Sequence, residues 1–111
     1  MAAAKNELLP GTLDLLVLRV LATGRQHGYG IARRIRSASA DVLRIEEGSL
    51  YPALHRMEKR AWIRAEWAES ETRRRAKYYA LSAAGRKQLA IETETWETFS
   101  NAVARVLGAE G

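Results

Sequence analysis

The segment from Leu8 to Ala22 constrains the fold most, because apolar side chains surround nearly the whole of the helix that it predicts. Apolar residues at positions 13, 16, 17, 20 and 21 repeat with helical spacing, but Leu15 and Leu18 lie on the remaining faces. Only Asp14 and Arg19 interrupt this surface. Because one small domain can cover only one side of such a helix, the segment predicts a second subunit that covers the other.

Two more helices are predicted before the middle of the chain. Pro10 and Thr12 mark the start of the first helix and Gly24 marks its end, and a turn at residues 26–28 leads to the second. The second helix is followed by a loop at residues 37–41. The third is expected to begin near Ser49, a good N-cap residue. The predicted inward-facing residues are Ile31, Ile35 and Ala38 of the second helix and Leu50, Leu54, Met57 and Ala61 of the third.

The rest of the chain predicts a hairpin and one long helix. Residues 62–67 and 76–81 have the alternation and residue types of strands, and the polar segment 68–75 joins them. Ser82 is the expected N-cap of a final helix that runs to about Leu107. At 1.5 Å per residue that helix is roughly 39 Å long, so it is expected to project from the domain.

Apolar residues recur along the last helix with a spacing of seven, at Leu89, Trp96 and Val103, and Phe99 and Val106 follow close behind them. This is a coiled-coil-like seam, but two heptads are too few for a free-standing coiled coil. Packing against the first helix of a partner would cover both surplus apolar surfaces. The predicted dimer interface comprises Leu13, Leu16, Val17, Leu89, Trp96, Phe99, Val103 and Val106.

The order helix, helix, helix, hairpin is that of a winged helix–turn–helix, whose third helix enters the major groove of DNA. The expected fold is therefore mainly α with a small two-stranded β-hairpin and a long C-terminal dimerisation helix. Residues 8–82 are expected to form the DNA-binding domain and residues 83–111 the dimerisation helix.

The charge of the chain predicts a polyanionic partner, and charge alone does not distinguish DNA from RNA or from an anionic membrane surface. The net charge is +5 and the pI is near 10.0, with the basic residues concentrated in the N-terminal two thirds. The absence of cysteine is typical of a reducing compartment, and no run of apolar residues is long enough for a membrane span or a signal peptide. We therefore expect a cytoplasmic protein that does not bind membranes.

Two groups of residues are predicted to contact DNA. On the third helix, the face opposite the buried stripe mixes hydrogen-bonding, apolar and cationic groups, as the reading of base edges requires. It consists of Ser49, Tyr51, Pro52, His55, Arg56 and Lys59. The hairpin tip carries Arg73, Arg74, Arg75 and Lys77, which predict a wing that contacts phosphates. The alternative for the tip is a solvated charge run that Glu69 and Glu71 balance.

Catalysis is not expected. The two histidines, His27 and His55, lie on a turn and on a basic helix, and no acidic residues at ligand spacing accompany them. Glu46 and Glu47 are adjacent in sequence and point in different directions. We expect no enzyme, no cofactor and no metal site.

The chain resembles the PadR family of bacterial transcriptional repressors from Pro10 to Leu107. The motifs are Gly11-Thr12-Leu13, His27-Gly28-Tyr29-Gly30-Ile31, Gly48-Ser49-Leu50-Tyr51-Pro52-Ala53-Leu54, Arg74-Arg75-Ala76-Lys77-Tyr78-Tyr79 and Leu81-Ser82-Ala83-Ala84-Gly85. The resemblance implies a homodimer on a roughly palindromic operator, with Tyr29, Ser49, Tyr51 and Pro52 near the DNA. The wing departs from the family pattern, because residues 69–72 replace a compact glycine-containing tip.

Some alternatives remain open. Some short members of the family bind planar hydrophobic compounds between subunits, so Trp96 is either a ligand site at the dimer axis or part of the packed interface. Trp62 and Trp67 fall on opposite faces of one strand, and both are expected to be structural. A winged helix can also bind RNA or another protein. Proteins that bind RNA usually display aromatic side chains on sheets or loops, whereas in this chain the exposed polar and aromatic residues concentrate on one helix beside a cationic wing.

Overall fold

The computed structural model describes residues 11–108, which form four helices and three strands. In chain order the elements are α1 (Thr12–Leu21), β1 (Gln26–His27), α2 (Gly28–Ala38), α3 (Glu47–Lys59), β2 (Ile63–Glu69), β3 (Arg75–Leu81) and α4 (Ala83–Leu107). The predicted fold class, mainly α with a small β wing, is confirmed. The predicted domain limits at residues 8 and 111, and Pro10 as a helix start, lie outside the described residues.

The sheet has three strands in the order β1-β3-β2, one more than the predicted hairpin. Strands β2 and β3 pair antiparallel along their whole length, from Ile63 opposite Leu81 to Glu69 opposite Arg75. The two residues of β1 pair with Tyr78 and Tyr79 on the other edge of β3. The prediction of a plain turn there was wrong because a two-residue strand has no alternation to detect, and its partner lies about 50 residues away in sequence.

The hydrophobic core lies between α1, α2, α3 and the inner face of the sheet. The predicted burial of Ile31 and Ile35, and of Leu50, Leu54 and Met57 on α3, is confirmed. Val17 was predicted at the dimer interface, but it is 0% exposed within the protomer. Its side chain is therefore part of the domain core and has no surface left for a partner. The largest fully buried side chains are Leu18, Leu21, Ile31, Leu50, Leu54, Met57, Ile63 and Val17.

Several helix ends differ from their predicted positions. Helix α3 begins at Glu47, so Ser49 lies within its first turn and is not the N-cap. Ala38 and Ala61 were expected to be buried and are exposed. Ala38 is the last residue of α2, and Ala61 follows α3 with a φ of 62°, where the chain leaves the helix. An alanine at a helix end gains little from burial because its side chain has little apolar surface.

Helix α4 starts at the predicted cap and projects from the domain. The Gly85 amide donates to Ser82 Oγ at 2.9 Å, and the Ser82 hydroxyl in turn donates to the Ala61 carbonyl at 2.7 Å. The described protein measures 55 × 30 × 21 Å, and residues 101–108 at the end of α4 are all exposed. Between residues 11 and 108, no helix has the length and hydropathy that crossing a bilayer requires.

Candidate nucleic-acid interface

Helix α3 separates its buried and exposed faces as the sequence predicted. Leu50, Leu54 and Met57 are at most 1% exposed and anchor the helix to the core. The opposite face is exposed and consists of Ser49, Tyr51, Pro52, His55, Arg56 and Lys59. It offers hydroxyl, imidazole and cationic groups beside an aromatic ring, which is the mixture that base edges in a major groove can engage.

The start of α2 places Tyr29 next to α3. The Gly30 amide donates to His27 Nδ1 at 3.0 Å, so His27 caps the helix, and its ring packs edge-on against Tyr78 at 5.2 Å between centroids. Gly28 is buried where a Cβ would overlap the Tyr51 side chain, which allows the two helices to approach closely. Tyr29 itself is 64% exposed. His27 thus has a structural role that positions a candidate DNA contact.

The wing reverses direction without a glycine. The Ser70 amide donates to the Arg74 carbonyl at 2.7 Å, and the Arg73 amide donates to the Ser70 carbonyl at 2.9 Å. Arg73 takes the left-handed conformation, with a φ of 65°, that a glycine would adopt at lower cost. The tip is therefore tight despite its departure from the family pattern. Arg73 and Arg74 lie in the turn, whereas Arg75 and Lys77 belong to β3.

A cleft of about 710 Å³ lies between the wing and the two helices α2 and α3. We call it the wing cleft and define it by Tyr29, Arg33, Tyr51, Trp67, Arg74, Arg75 and Lys77. Among the described residues that line it, four cationic side chains accompany a single carboxylate, that of Glu71. Burial raises the pKa of the Tyr79 hydroxyl at its base, and the nearby Glu58 carboxylate adds to this effect, so that phenol stays neutral.

The structure therefore gathers five of the eleven residues predicted to contact DNA into one cleft. These are Tyr29, Tyr51, Arg74, Arg75 and Lys77. The other six do not line the cleft but are exposed on α3 or at the wing tip; they are Ser49, Pro52, His55, Arg56, Lys59 and Arg73. Their roles in DNA contact stay predictions.

Two ion pairs hold α3 in place, and neither is evident from sequence patterns. Arg56 Nη2 donates to Asp14 Oδ1 at 2.7 Å, and this pair joins α3 to α1. Lys77 Nζ lies 3.6 Å from Glu58 Oε1 and joins the wing to α3. Asp14 is almost fully buried, so its carboxylate depends on the guanidinium for compensation. Arg56 therefore has a positioning role, with half of its side chain still exposed.

Residues outside the prediction also line the wing cleft. Arg33 is not among the predicted DNA contacts, although its guanidinium carbon lies 5.7 Å from the centroid of the Tyr29 ring. Trp67 was expected to be structural but is 58% exposed. The signal that could have shown this is its strand register, because β2 continues past the last residue that the core can cover.

A second candidate surface lies where α4 passes the start of α1. Trp96, Phe99, Val103 and Val106 are all exposed apolar residues on one face of α4, and the Trp96 and Phe99 centroids are 6.2 Å apart. A cleft of about 500 Å³ separates the first two from Leu15 of α1. The other predicted interface residues, Leu13, Leu16 and Leu89, are half-buried against the core. Exposed apolar side chains on one helix face are typical of interaction sites, which makes this stripe a candidate one.

Three helices followed by an antiparallel wing, with an exposed polar face on the third helix, define a winged helix–turn–helix DNA-binding protein. The sequence profile of the transcriptional regulator PadR-like family matches residues 17–91. The chain belongs to this family of transcriptional regulators.

Solved structures of such regulators are similar along most of the chain. A transcriptional regulator from Clostridium thermocellum is 30% identical with a TM-score of 0.78, and the match covers 86% of this chain and 89% of that one. A PadR family regulator from Clostridium difficile is 30% identical with a TM-score of 0.75 and coverages of 87% and 99%. A PadR-like regulator from Bacillus cereus is 27% identical with a TM-score of 0.75 and coverages of 87% and 92%.

Proposed function

We propose that this protein is a transcriptional repressor that binds a roughly palindromic operator as a homodimer. The observation that carries the proposal is the wing cleft, because cations and exposed aromatic rings lie beside the exposed face of α3. In this arrangement α3 enters the major groove while Arg73, Arg74, Arg75 and Lys77 reach the phosphates beside it. The protein then acts in the bacterial cytoplasm, where the operator is.

The proposed dimer places residues 83–111 at the two-fold axis and residues 8–82 on the DNA. The exposed stripe of α4 supports this division, since four large apolar side chains in contact with water are costly in a protein of this size. A two-fold dimer presents two α3 helices, and their spacing must match half-sites about one turn, roughly 34 Å, apart.

We propose further that a planar hydrophobic effector binds at this interface beside Trp96 and releases the repressor. The cleft between α1 and α4 supports the site, because Trp96, Phe99 and Ile91 line it with apolar surface. Helix α1 supports the coupling, because Leu15 lines that cleft and Asp14 bonds Arg56 of α3. A molecule that shifts α1 therefore acts directly on the orientation of α3.

The test is a titration of the purified protein against genomic fragments, including DNA upstream of its own gene, at two salt concentrations. The expected result is salt-sensitive binding, with two subunits on one protected and roughly palindromic site. Equal binding to every duplex would instead indicate an architectural protein. A failure to bind any duplex at low salt would favour a winged helix that binds RNA or another protein.

The double substitution Arg74→Ala with Arg75→Ala is expected to weaken duplex binding and to flatten its salt dependence. Removing one phosphate contact reduces the slope of log K against log salt by about 0.9, so the slope falls by about 2 per protomer. Fluorescence anisotropy of a labelled duplex between about 50 and 200 mM salt measures this slope. The control is Arg86→Ala with Lys87→Ala, which removes two exposed cations from α4. An unchanged slope in the wing variant would remove the wing from the interface.

A further inference from the structure

Trp67 lies on the inner face of the wing but beyond the edge of the hydrophobic core. Side chains two residues apart share a face of a strand, so Ile63, Ala65 and Trp67 all point toward the helices. Ile63 is buried and Ala65 packs against the core, whereas 58% of Trp67 is exposed. The indole therefore borders the wing cleft instead of sealing the domain.

Its surroundings show what this indole can bind. Trp67 shares the cleft with two other exposed aromatic residues, Tyr29 and Tyr51, and with four cations. The guanidinium carbon of Arg75 lies 5.3 Å from the centroid of the indole. Cations attract phosphate, while an indole adds a flat apolar surface and one N–H donor. The sugar–phosphate backbone of DNA combines the matching groups, because an apolar deoxyribose lies next to each phosphate.

We propose that Trp67 contacts the DNA backbone directly, with its ring against a deoxyribose and its Nε1–H donating to a phosphate oxygen. The neighbouring guanidinium of Arg75 holds the next phosphate. This inference rests on the proposed function, because it names the part of the DNA that fills the wing cleft. It also gives a binding role to a tryptophan whose sequence pattern predicts a structural one.

A direct contact and a supporting role differ in their dependence on salt. Lysine and arginine contacts release counterions from DNA, so their removal lowers the slope of log K against log salt. A neutral indole releases none, and its removal weakens binding equally at every salt concentration. If Trp67 only positioned Arg75, its removal would disable a cation and the slope would fall.

The experiment measures binding of Trp67→Ala and Trp67→Phe to a labelled duplex of mixed sequence. A length of about 40 base pairs accommodates both half-sites, and backbone contacts do not depend on sequence. Between about 50 and 200 mM salt, we expect Trp67→Ala to bind about tenfold more weakly at an unchanged slope, as for the removal of one well-packed aromatic ring from an interface. Trp67→Phe keeps a ring but loses the donor, and we expect an intermediate affinity.

The matched control is Trp62→Phe. Trp62 also has an arginine over its ring, with Arg60 at 5.2 Å, but it packs against the core and does not line the wing cleft. We expect the Trp62→Phe variant to bind the duplex with the affinity of the wild type. Far-UV circular dichroism checks that every variant is folded, and the exposure of Trp67 makes folding of its variants the expected result.

Three results would overturn the inference, and they are distinguishable. Wild-type affinity in Trp67→Ala would show that the indole does not touch DNA. A slope reduced by about 0.9 per protomer, as for the loss of one cation contact, would show that Trp67 only positions Arg75. If the wild-type protein binds no duplex at low salt, the proposed function fails and the inference fails with it.

Discussion

The substitution Phe99→Asp is expected to convert the protein to a monomer and to lower its affinity for the operator by at least about 100-fold. Phe99 is 52% exposed in the protomer, so the variant can fold, but a carboxylate in an apolar dimer interface loses its hydration without gaining a partner. A monomer then binds one half-site alone. It loses the increase in affinity that comes from joining two DNA-binding domains in one dimer, which is of the order of 10²–10⁴-fold. Light scattering after size exclusion measures the mass, and a gel-shift titration measures the affinity.

Asn101→Asp is the matched control. Asn101 is also exposed, but two residues from Phe99 it lies on the opposite side of the helix. The substitution Asn101→Asp adds the same charge to α4 as Phe99→Asp does. We expect this variant to be a dimer that binds the operator with wild-type affinity. If Phe99→Asp also remains a dimer, the stripe on α4 is not the interface and the proposed division of the chain is wrong.

The second large effect is expected from Gly85→Ala, which should destabilise the fold by about 2–4 kcal/mol. A Cβ at Gly85 would overlap the backbone carbonyl oxygen of Trp62, an atom that cannot rotate away as a flexible side chain can. The first turn of α4 must then move outward, which disturbs the hydrogen bonds that Ser82 makes to the Ala61 and Trp62 carbonyls. Chemical denaturation at a fixed protein concentration measures the change in the free energy of unfolding.

Gly48→Ala tests whether the effect comes from the contact and not from the replacement of a glycine. Gly48 lies in α3, and a Cβ there would meet no atom within 4 Å beyond its chain neighbours and the backbone of its own helix. An alanine at that helical position is expected to stabilise the protein by up to about 1 kcal/mol. Equal destabilisation by both substitutions would contradict the close approach of α4 to Trp62.

Periodicity and capping chemistry predicted most of the helical framework. The spacing of Leu50, Leu54 and Met57 is sufficient to assign the buried face of α3, because a helix repeats every 3.6 residues and needs only local information. Ser82 was assignable as a cap for the same reason, since its bond to the Gly85 amide spans three residues. The exposed face of α3 follows from these assignments.

Elements that depend on distant partners were not predictable in the same way. Strand β1 exists because β3 supplies its hydrogen bonds, and Val17 is buried because other helices of the same domain surround it. The Asp14–Arg56 pair joins residues that are 42 positions apart. In the sequence, Asp14 is an interruption of an apolar helix and Arg56 is one more cation on a basic one.

The sequence by itself determined the order of the four helices and the wing hairpin, the faces of α3 and the family, because these follow from local spacing and from contiguous motifs. The tertiary structure alone decided which surfaces remain open. It buried Val17 within the protomer, tied Arg56 to α1 and left Trp67 in the wing cleft. Burial is a property of the space around a side chain, and that space is filled by elements from distant parts of the chain.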